Sequence, residues 1–426
     1  MSEFAMMTRG ELHTRAARLD ERYLAFKAQR LALDMTRGKP CREQLDLSAG
    51  LLDCLGQSDY RAADGTDCRN YGGLDGLPEA RTLFADFLEV DSSEVIVGGN
   101  SSLTMMHDTV VQALLRGMPG GTGPWRTLPA VKFLCPSPGY DRHFAICEHL
   151  GIEMLTVDMT SAGPDMDQVE HLVAEDASIK GIWCVPKYSN PTGVTFSDAV
   201  VERLAHMHTA ALDFRIFWDN AYAVHHLSDT PDRLRSLPAA CTAAGNADRV
   251  LLFASTSKVS FAGAGVAAMA GSTNNVRHIK AGMAIQTIGP DKLNQLRHVR
   301  FFRDMAGIEA QMRKHAAILR PKFAAVQEVL TRELEGTGVA QWSRPNGGYF
   351  ISLDTLDGCA KAVVAMAADA GVQLTQAGAT FPCGKDPRDR NIRLAPSMPS
   401  VDEIRQAMEL VAVCTQRVAI ARLLER

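Results

Sequence analysis

Val250-Leu251-Leu252-Phe253-Ala254-Ser255-Thr256-Ser257-Lys258 opens as a near-continuous apolar run and closes in small hydroxyl residues and a single lysine. A short apolar run without alternation is the pattern of a strand buried on both faces of a parallel sheet. Ligands of such sheets lie at the carboxyl edge, where Lys258 falls. Taken alone, a lysine after a strand is an ordinary solvated loop residue. Its companions along the chain change that reading.

Between Val95 and Gly271 further short apolar runs alternate with helical stretches: Val95-Ile96-Val97, Val131-Lys132-Phe133-Leu134-Cys135, Ile182-Trp183-Cys184-Val185, Ile216-Phe217-Trp218 and Ala267-Ala268-Met269. This alternation predicts an α/β fold, a mostly parallel sheet covered by helices. At 426 residues the chain exceeds what one core serves, so more than one domain is expected. An arm and helix (1–50, helical from about Glu11 to Leu33) are expected to join a small α+β C-terminal domain (311–426), with a large sheet domain (51–310) between. The small domain contains Gly347 to Ser352 and Asn391 to Leu394, and a long helix is predicted from Asp304 to Leu334. Gly117 to Thr127 reads as a Gly/Pro-rich surface loop.

A second strand end, Phe217-Trp218-Asp219-Asn220-Ala221-Tyr222, delivers an acid and a phenol to the same edge. Lysine, aspartate and tyrosine are the groups a pyridoxal phosphate ring needs. The lysine forms a Schiff base, the aspartate keeps the ring nitrogen protonated, and the phenol bonds the 3-oxygen. Ser189-Asn190-Pro191-Thr192-Gly193 adds an amide for that oxygen, and its Asn-Pro step is one where a cis bond is accessible. After Val95-Ile96-Val97 come Gly98-Gly99-Asn100-Ser101-Ser102 and a helical run. The amides and hydroxyls of such a helix start bind an anion, here the cofactor phosphate, with Ser255 adding a hydroxyl. An ordinary capped turn is the plain alternative, and the shared sheet edge with Lys258 favours the anion site.

Composition bounds the function. Lys plus Arg number 45 against 49 Asp plus Glu, a net charge of −4 with no long block of one sign, which argues against a nucleic-acid partner. Ten cysteines scattered singly, with no C-x-x-C pair, read as reduced thiols of a cytoplasmic protein. No run is long and apolar enough to predict a bilayer span. The twelve histidines fall into no metal-ligand pattern, so no metal is expected.

Asn190-Pro191-Thr192-Gly193, Asp219 with Tyr222, Ser255 with Lys258, and Arg393 occur in the order and spacing of the fold-type I pyridoxal phosphate-dependent aminotransferases. The runs Pro138-Gly139-Tyr140-Asp141-Arg142-His143 and Ser255 to Gly265 resemble a divergent subgroup of aspartate aminotransferases, and the likeness extends from about Arg37 to Arg393. The resemblance implies a homodimer with shared active sites, in which Tyr71 reaches the cofactor phosphate of the neighbouring subunit. It also implies that Tyr140 stacks on the ring, and that Arg393, with Gly38 at the same end, grips the substrate α-carboxylate. A merely structural buried arginine would need an acidic partner, and the sequence shows none for Arg393. One departure stands out: Val266 occupies the place where most relatives carry an arginine for the phosphate.

The resemblance implies transamination, with an amino acid and a 2-oxo acid as partners. Aspartate or glutamate with 2-oxoglutarate or oxaloacetate is the leading expectation. An acidic side chain needs a second cation, for which Arg142 and Lys292 are the candidates, Lys292 with the neighbouring subunit as its alternative source. Broader specificity toward aromatic or kynurenine-like amino acids, or a β-lyase on the same fold, are the alternatives. A ligand-sensing regulator is disfavoured, because the roughly 40 residues ahead of the core carry no basic recognition helix.

Overall fold

In the computed structural model of the protein, which describes residues 3–425, the six apolar runs all become strands of one eight-stranded sheet. Its strands are β1 (Val95–Val97), β2 (Lys132–Ser137), β3 (Glu153–Thr160), β4 (Gly163–Pro164), β5 (Ile179–Cys184), β6 (Arg215–Asp219), β7 (Val250–Ser255) and β8 (Ala267–Gly271). Their spatial order is β1-β8-β7-β6-β5-β2-β3-β4. β7, β6, β5, β2 and β3 pair in parallel, while β8 runs antiparallel between β7 and β1.

Alternation along each strand explains why the runs have no polar face. Phe217, Leu251, Phe253 and Met269 enter one apolar cluster with Ile96, Phe133 and Trp183. Their sequence neighbours Ile216, Trp218, Leu252 and Ala268 enter the cluster on the opposite face with Val97, Leu134 and Ile182. Both faces are covered by helices, so the strand interiors are apolar on both sides and charges fall toward the strand ends.

A separate core lies C-terminal. The helix Met305–Leu334 contributes Leu319, Val326 and Leu330, the antiparallel strands Ile351–Thr355 and Asn391–Leu394 add Ile351, Leu353 and Ile392, and the last helix, Val401–Leu424, adds Met408 and Val411. The N-terminal helix Arg9–Ala28 buries Leu12, Ala16 and Leu19 in this same core. Helicity ends at Ala28, short of Leu33; Leu33–Met35 is instead a strand paired in parallel with Val372–Leu374. A local pattern could not reveal that partner some 340 residues away. The division expected at 310/311 falls inside the helix Met305–Leu334, which starts with its N-cap Asp304 accepting from Gly307 N–H.

The Gly117–Thr127 segment corrects a reading. It is not simply a surface loop, because Trp125 within it is fully buried, its indole Nε1 donating to Asp213 at 2.7 Å. Asp213 also takes Lys180 Nζ at 2.6 Å, so a buried carboxylate anchors a segment whose glycines and prolines suggested only solvent.

Candidate active site

The expected residues of the sheet domain, Tyr71 and Lys292 apart, lie at or just past the carboxyl end of a strand. Lys258 follows β7, Asp219 ends β6, Asn190 follows β5, Tyr140 follows β2, and Gly98 to Ser102 follow β1. Parallel strands bring their ends to one edge, so residues up to 160 positions apart share a cleft.

Lys258 is half-buried, with its Nζ 5.0 Å from the centre of the Tyr222 ring. Burial lowers the pKa of its amine, and the Asp219 carboxylate opposes this only in part. Asp219 is 2% exposed and Tyr222 3%. Burial, first of all, and then the charges of Tyr140 and Asp219 push the Tyr222 phenol well above its ordinary range. Tyr140 is raised likewise by burial. Asn190 is buried, and its bond to Pro191 is cis.

His143, in the first turn of the helix Asp141–Leu150, is a residue the sequence reading quoted without assigning a role. Its Nε2 lies 3.1 Å from Asp219 Oδ2, and since an ionised carboxylate only accepts, the ring nitrogen donates. The imidazole is held flat on Trp183, ring centres 4.6 Å apart and 15° between planes. The other carboxylate oxygen, Asp219 Oδ1, is buried and has no partner among the described residues. An orphan carboxylate oxygen inside a cleft is costly unless a donor arrives. A protonated pyridine nitrogen is such a donor, so this site fits pyridoxal phosphate.

The loop after β1 is stitched to the lysine turn. Ser257 Oγ donates to the Asn100 carbonyl at 3.3 Å, Asn100 Nδ2 to the Gly263 carbonyl at 3.3 Å, and Ser255 Oγ to Ser257 Oγ at 3.2 Å. Ser101 caps the helix Ser102–Arg116, accepting from Thr104 N–H, and a side chain on Gly99 would meet nothing within 4 Å. Val266 is 2% exposed in the apolar core behind this loop. Its N–H donates to Thr256 Oγ1 at 2.9 Å. A phosphate here would meet amides and hydroxyls of the helix start.

Two buried histidines underlie the lysine turn. His225 Nε2 faces the Lys258 carbonyl at 3.3 Å, and burial, followed by the charge of Lys258, holds its pKa well below the usual imidazole value. His315 Nδ1 accepts from Gln44 Nε2 at 3.0 Å, and burial pushes His315 down to about 4 against an opposing pull from the Val259 carbonyl.

At the other end of the cleft, Arg393 is 6% exposed and sits 4.9 Å over the Phe350 ring. Phe350 in turn presses on Gly38, where an added Cβ would lie 2.6 Å from the ring. Arg393 Nη1 donates to Asp141 at 2.8 Å and to Asn190 Oδ1 at 3.3 Å. Asp141 is thus the acidic partner that the sequence did not show for this arginine. It is 252 residues away in the chain and adjacent only after folding.

Lys292 is also corrected. It is 3% exposed, and its Nζ donates to the carbonyls of Asn70 and Gly72, each at 2.7 Å, so it fastens a turn of its own chain and is not an open cation. That turn carries Tyr71, which is 84% exposed and points out of the subunit. Arg142 is exposed and, among the described residues, makes no ion pair or hydrogen bond.

The sequence matches the aspartate amino-transferase family over residues 7 to 426. It is 49% identical to an aspartate aminotransferase of Corynebacterium glutamicum over 91% of this chain and 90% of that one. An aspartate transaminase crystal structure from the same species superposes with a TM-score of 0.97 at 45% identity, covering 99% of both chains. The α-aminoadipate aminotransferase LysN of Thermus thermophilus, solved with N-(5'-phosphopyridoxyl)-L-leucine, shares the fold at 20% identity with a TM-score of 0.73, over 92% of this chain and 93% of that one. With its α/β architecture and whole-length match, the chain belongs to the aspartate aminotransferase family of fold-type I enzymes.

Proposed function

We propose that the chain is a pyridoxal 5'-phosphate-dependent aspartate aminotransferase, moving the amino group of aspartate or glutamate to 2-oxoglutarate or oxaloacetate. The observation that carries this is the pairing of Lys258, its amine made less basic by burial, with a buried Asp219 whose Oδ1 lacks a donor. Pyridoxal phosphate, when bound, supplies the electron sink that makes the substrate Cα proton acidic. Asp219 holds a proton on the ring nitrogen, and His143 keeps the carboxylate aimed. Tyr222 and Asn190 would bond the ring 3-oxygen, and Tyr140 would cover the ring. Gly99 to Ser102 and Ser255 hold the phosphate. Lys258 Nζ would hold the cofactor, and its amine is the group that would take and return the Cα proton. Arg393 binds the α-carboxylate over Phe350, and Arg142, an exposed cation next in the chain to Asp141, takes the side-chain carboxylate.

The protein acts in the cytoplasm as a homodimer. Tyr71 on its fastened turn, with Ile288 exposed beside it at 65%, supports a second copy of the chain covering this face and receiving the phenol. The test is an absorbance spectrum of the purified protein before and after aspartate alone. Loss of the visible-edge band, restored by 2-oxoglutarate, is expected. A spectrum that aspartate leaves unchanged in the pyridoxal phosphate-loaded protein would overturn the assignment.

A further inference from the structure

The guanidinium assigned to the substrate carboxylate already holds a carboxylate of its own chain. A guanidinium carries five N–H donors. On Arg393, Nη1 serves Asp141 Oδ1 at 2.8 Å and Asn190 Oδ1 at 3.3 Å, and Nε serves Thr375 Oγ1 at 3.4 Å. Among the described residues, Nη2 has no partner. A bidentate grip takes two nitrogens. An acid arriving along the Nη1–Nη2 edge must displace Asp141, and one arriving along the Nε–Nη2 edge must share the cation with Asp141 as a like charge. Either way Asp141 opposes it.

Asp141 is placed to yield. Its side chain is 32% exposed against 6% for Arg393, so it can turn to water while the guanidinium stays in place. It opens the helix Asp141–Leu150, whose N-terminus favours a negative charge wherever the side chain points within that turn. Arg142, the next residue, is an exposed cation without a partner among the described residues.

We propose that Asp141 is a resident competitor for the substrate α-carboxylate: it neutralises buried Arg393 before substrate binds and is displaced by every amino acid or 2-oxo acid that does. This rests on Arg393 being the carboxylate anchor. The competitor spares the folded chain an unpaired buried cation, and it weakens all carboxylate ligands by one common factor. It therefore sets KM without choosing among substrates, while Arg142 chooses.

The test is titration of the pyridoxal phosphate-loaded enzyme with maleate, a dicarboxylate that cannot react, in the wild type and in Asp141→Asn, Asp141→Ser and Arg393→Lys. Replacing the competing anion by a neutral group is expected to tighten maleate about tenfold, or about 1.4 kcal/mol. The KM values for aspartate and alanine should fall together while kcat does not rise. If Asp141 were instead a support that keeps Arg393 aimed, both Asp141 variants would bind maleate no better or worse, and the proposal would be wrong. If Arg393→Lys left maleate affinity and every KM unchanged, the anchor reading itself would fail.

Discussion

Replacing His315 by glutamine should remove a defined part of the protein's acid sensitivity. His315 is fully buried beneath the lysine turn, with Nδ1 accepting from Gln44 and burial holding its pKa near 4 in place of the usual 6.5. Glutamine keeps an acceptor for Gln44 and loses the titration. Between about pH 6.5 and 4 the unfolded chain carries a proton at this histidine that the folded chain refuses, so stability rises with pH across that window. Acidification therefore destabilises the wild type progressively from about pH 6.5, by roughly 2 kcal/mol at pH 5 and about 3 kcal/mol once below pH 4. His225 and His226, also held low by burial, add to the wild-type loss in the same direction and persist in the variant. The measurement is urea unfolding of the cofactor-free protein, followed by tryptophan fluorescence, at pH 7.5 and pH 5. His315→Gln is expected to lose about 2 kcal/mol less than the wild type over that interval, whatever the substitution costs at pH 7.5. Parallel losses in the two proteins would refute the claim that His315 is held neutral by burial.

His143→Leu strips Asp219 of its one donor among the described residues and leaves both buried carboxylate oxygens bare, which should cost about 1.5–3 kcal/mol in unfolding of the cofactor-free protein; an unchanged unfolding midpoint would remove His143 from its assigned task. Gly38→Ala places a methyl 2.6 Å from Phe350, so the ring and the Arg393 above it must shift. A drop of roughly tenfold to a hundredfold in kcat/KM is expected for aspartate and alanine alike, and a loss confined to aspartate would contradict the shared platform. Lys258→Ala abolishes the cofactor absorbance band and also changes stability with pH. The folded amine has its pKa below 10.5, so the unfolded chain binds the extra proton in the window beneath that value, and wild-type stability rises with pH through it. The cofactor-free variant should be the more stable protein below the window, with the difference closing toward about pH 10.5; a difference independent of pH would show that burial does not depress the amine.

The order of apolar runs, the glycines after Val97 and the placement of Lys258, Asp219 and Asn190 were legible in the chain because strand periodicity is local and the carboxyl edge of a parallel sheet collects strand ends by rule. The long helix after Asp304 was legible for the same reason, as was the absence of an arginine at Val266. Pairings made across the fold were not. Asp141 meets Arg393 from 252 residues away, His143 meets Asp219 from 76, and Lys292 closes on Asn70 from 222. No spacing rule links these positions, so the sequence left Arg393 without an acid and Lys292 as an open cation. Trp125 shows the same limit, since glycines and prolines around it signal a turn, yet only the fold sets the carboxylate of Asp213 where its indole can donate. Local pattern thus determined the fold class and which side chains gather at the carboxyl edge of the sheet, because each follows from residues near in the chain. Tertiary structure alone decided which charges are engaged and which stay open, because burial and long-range contact set the cost of each charge.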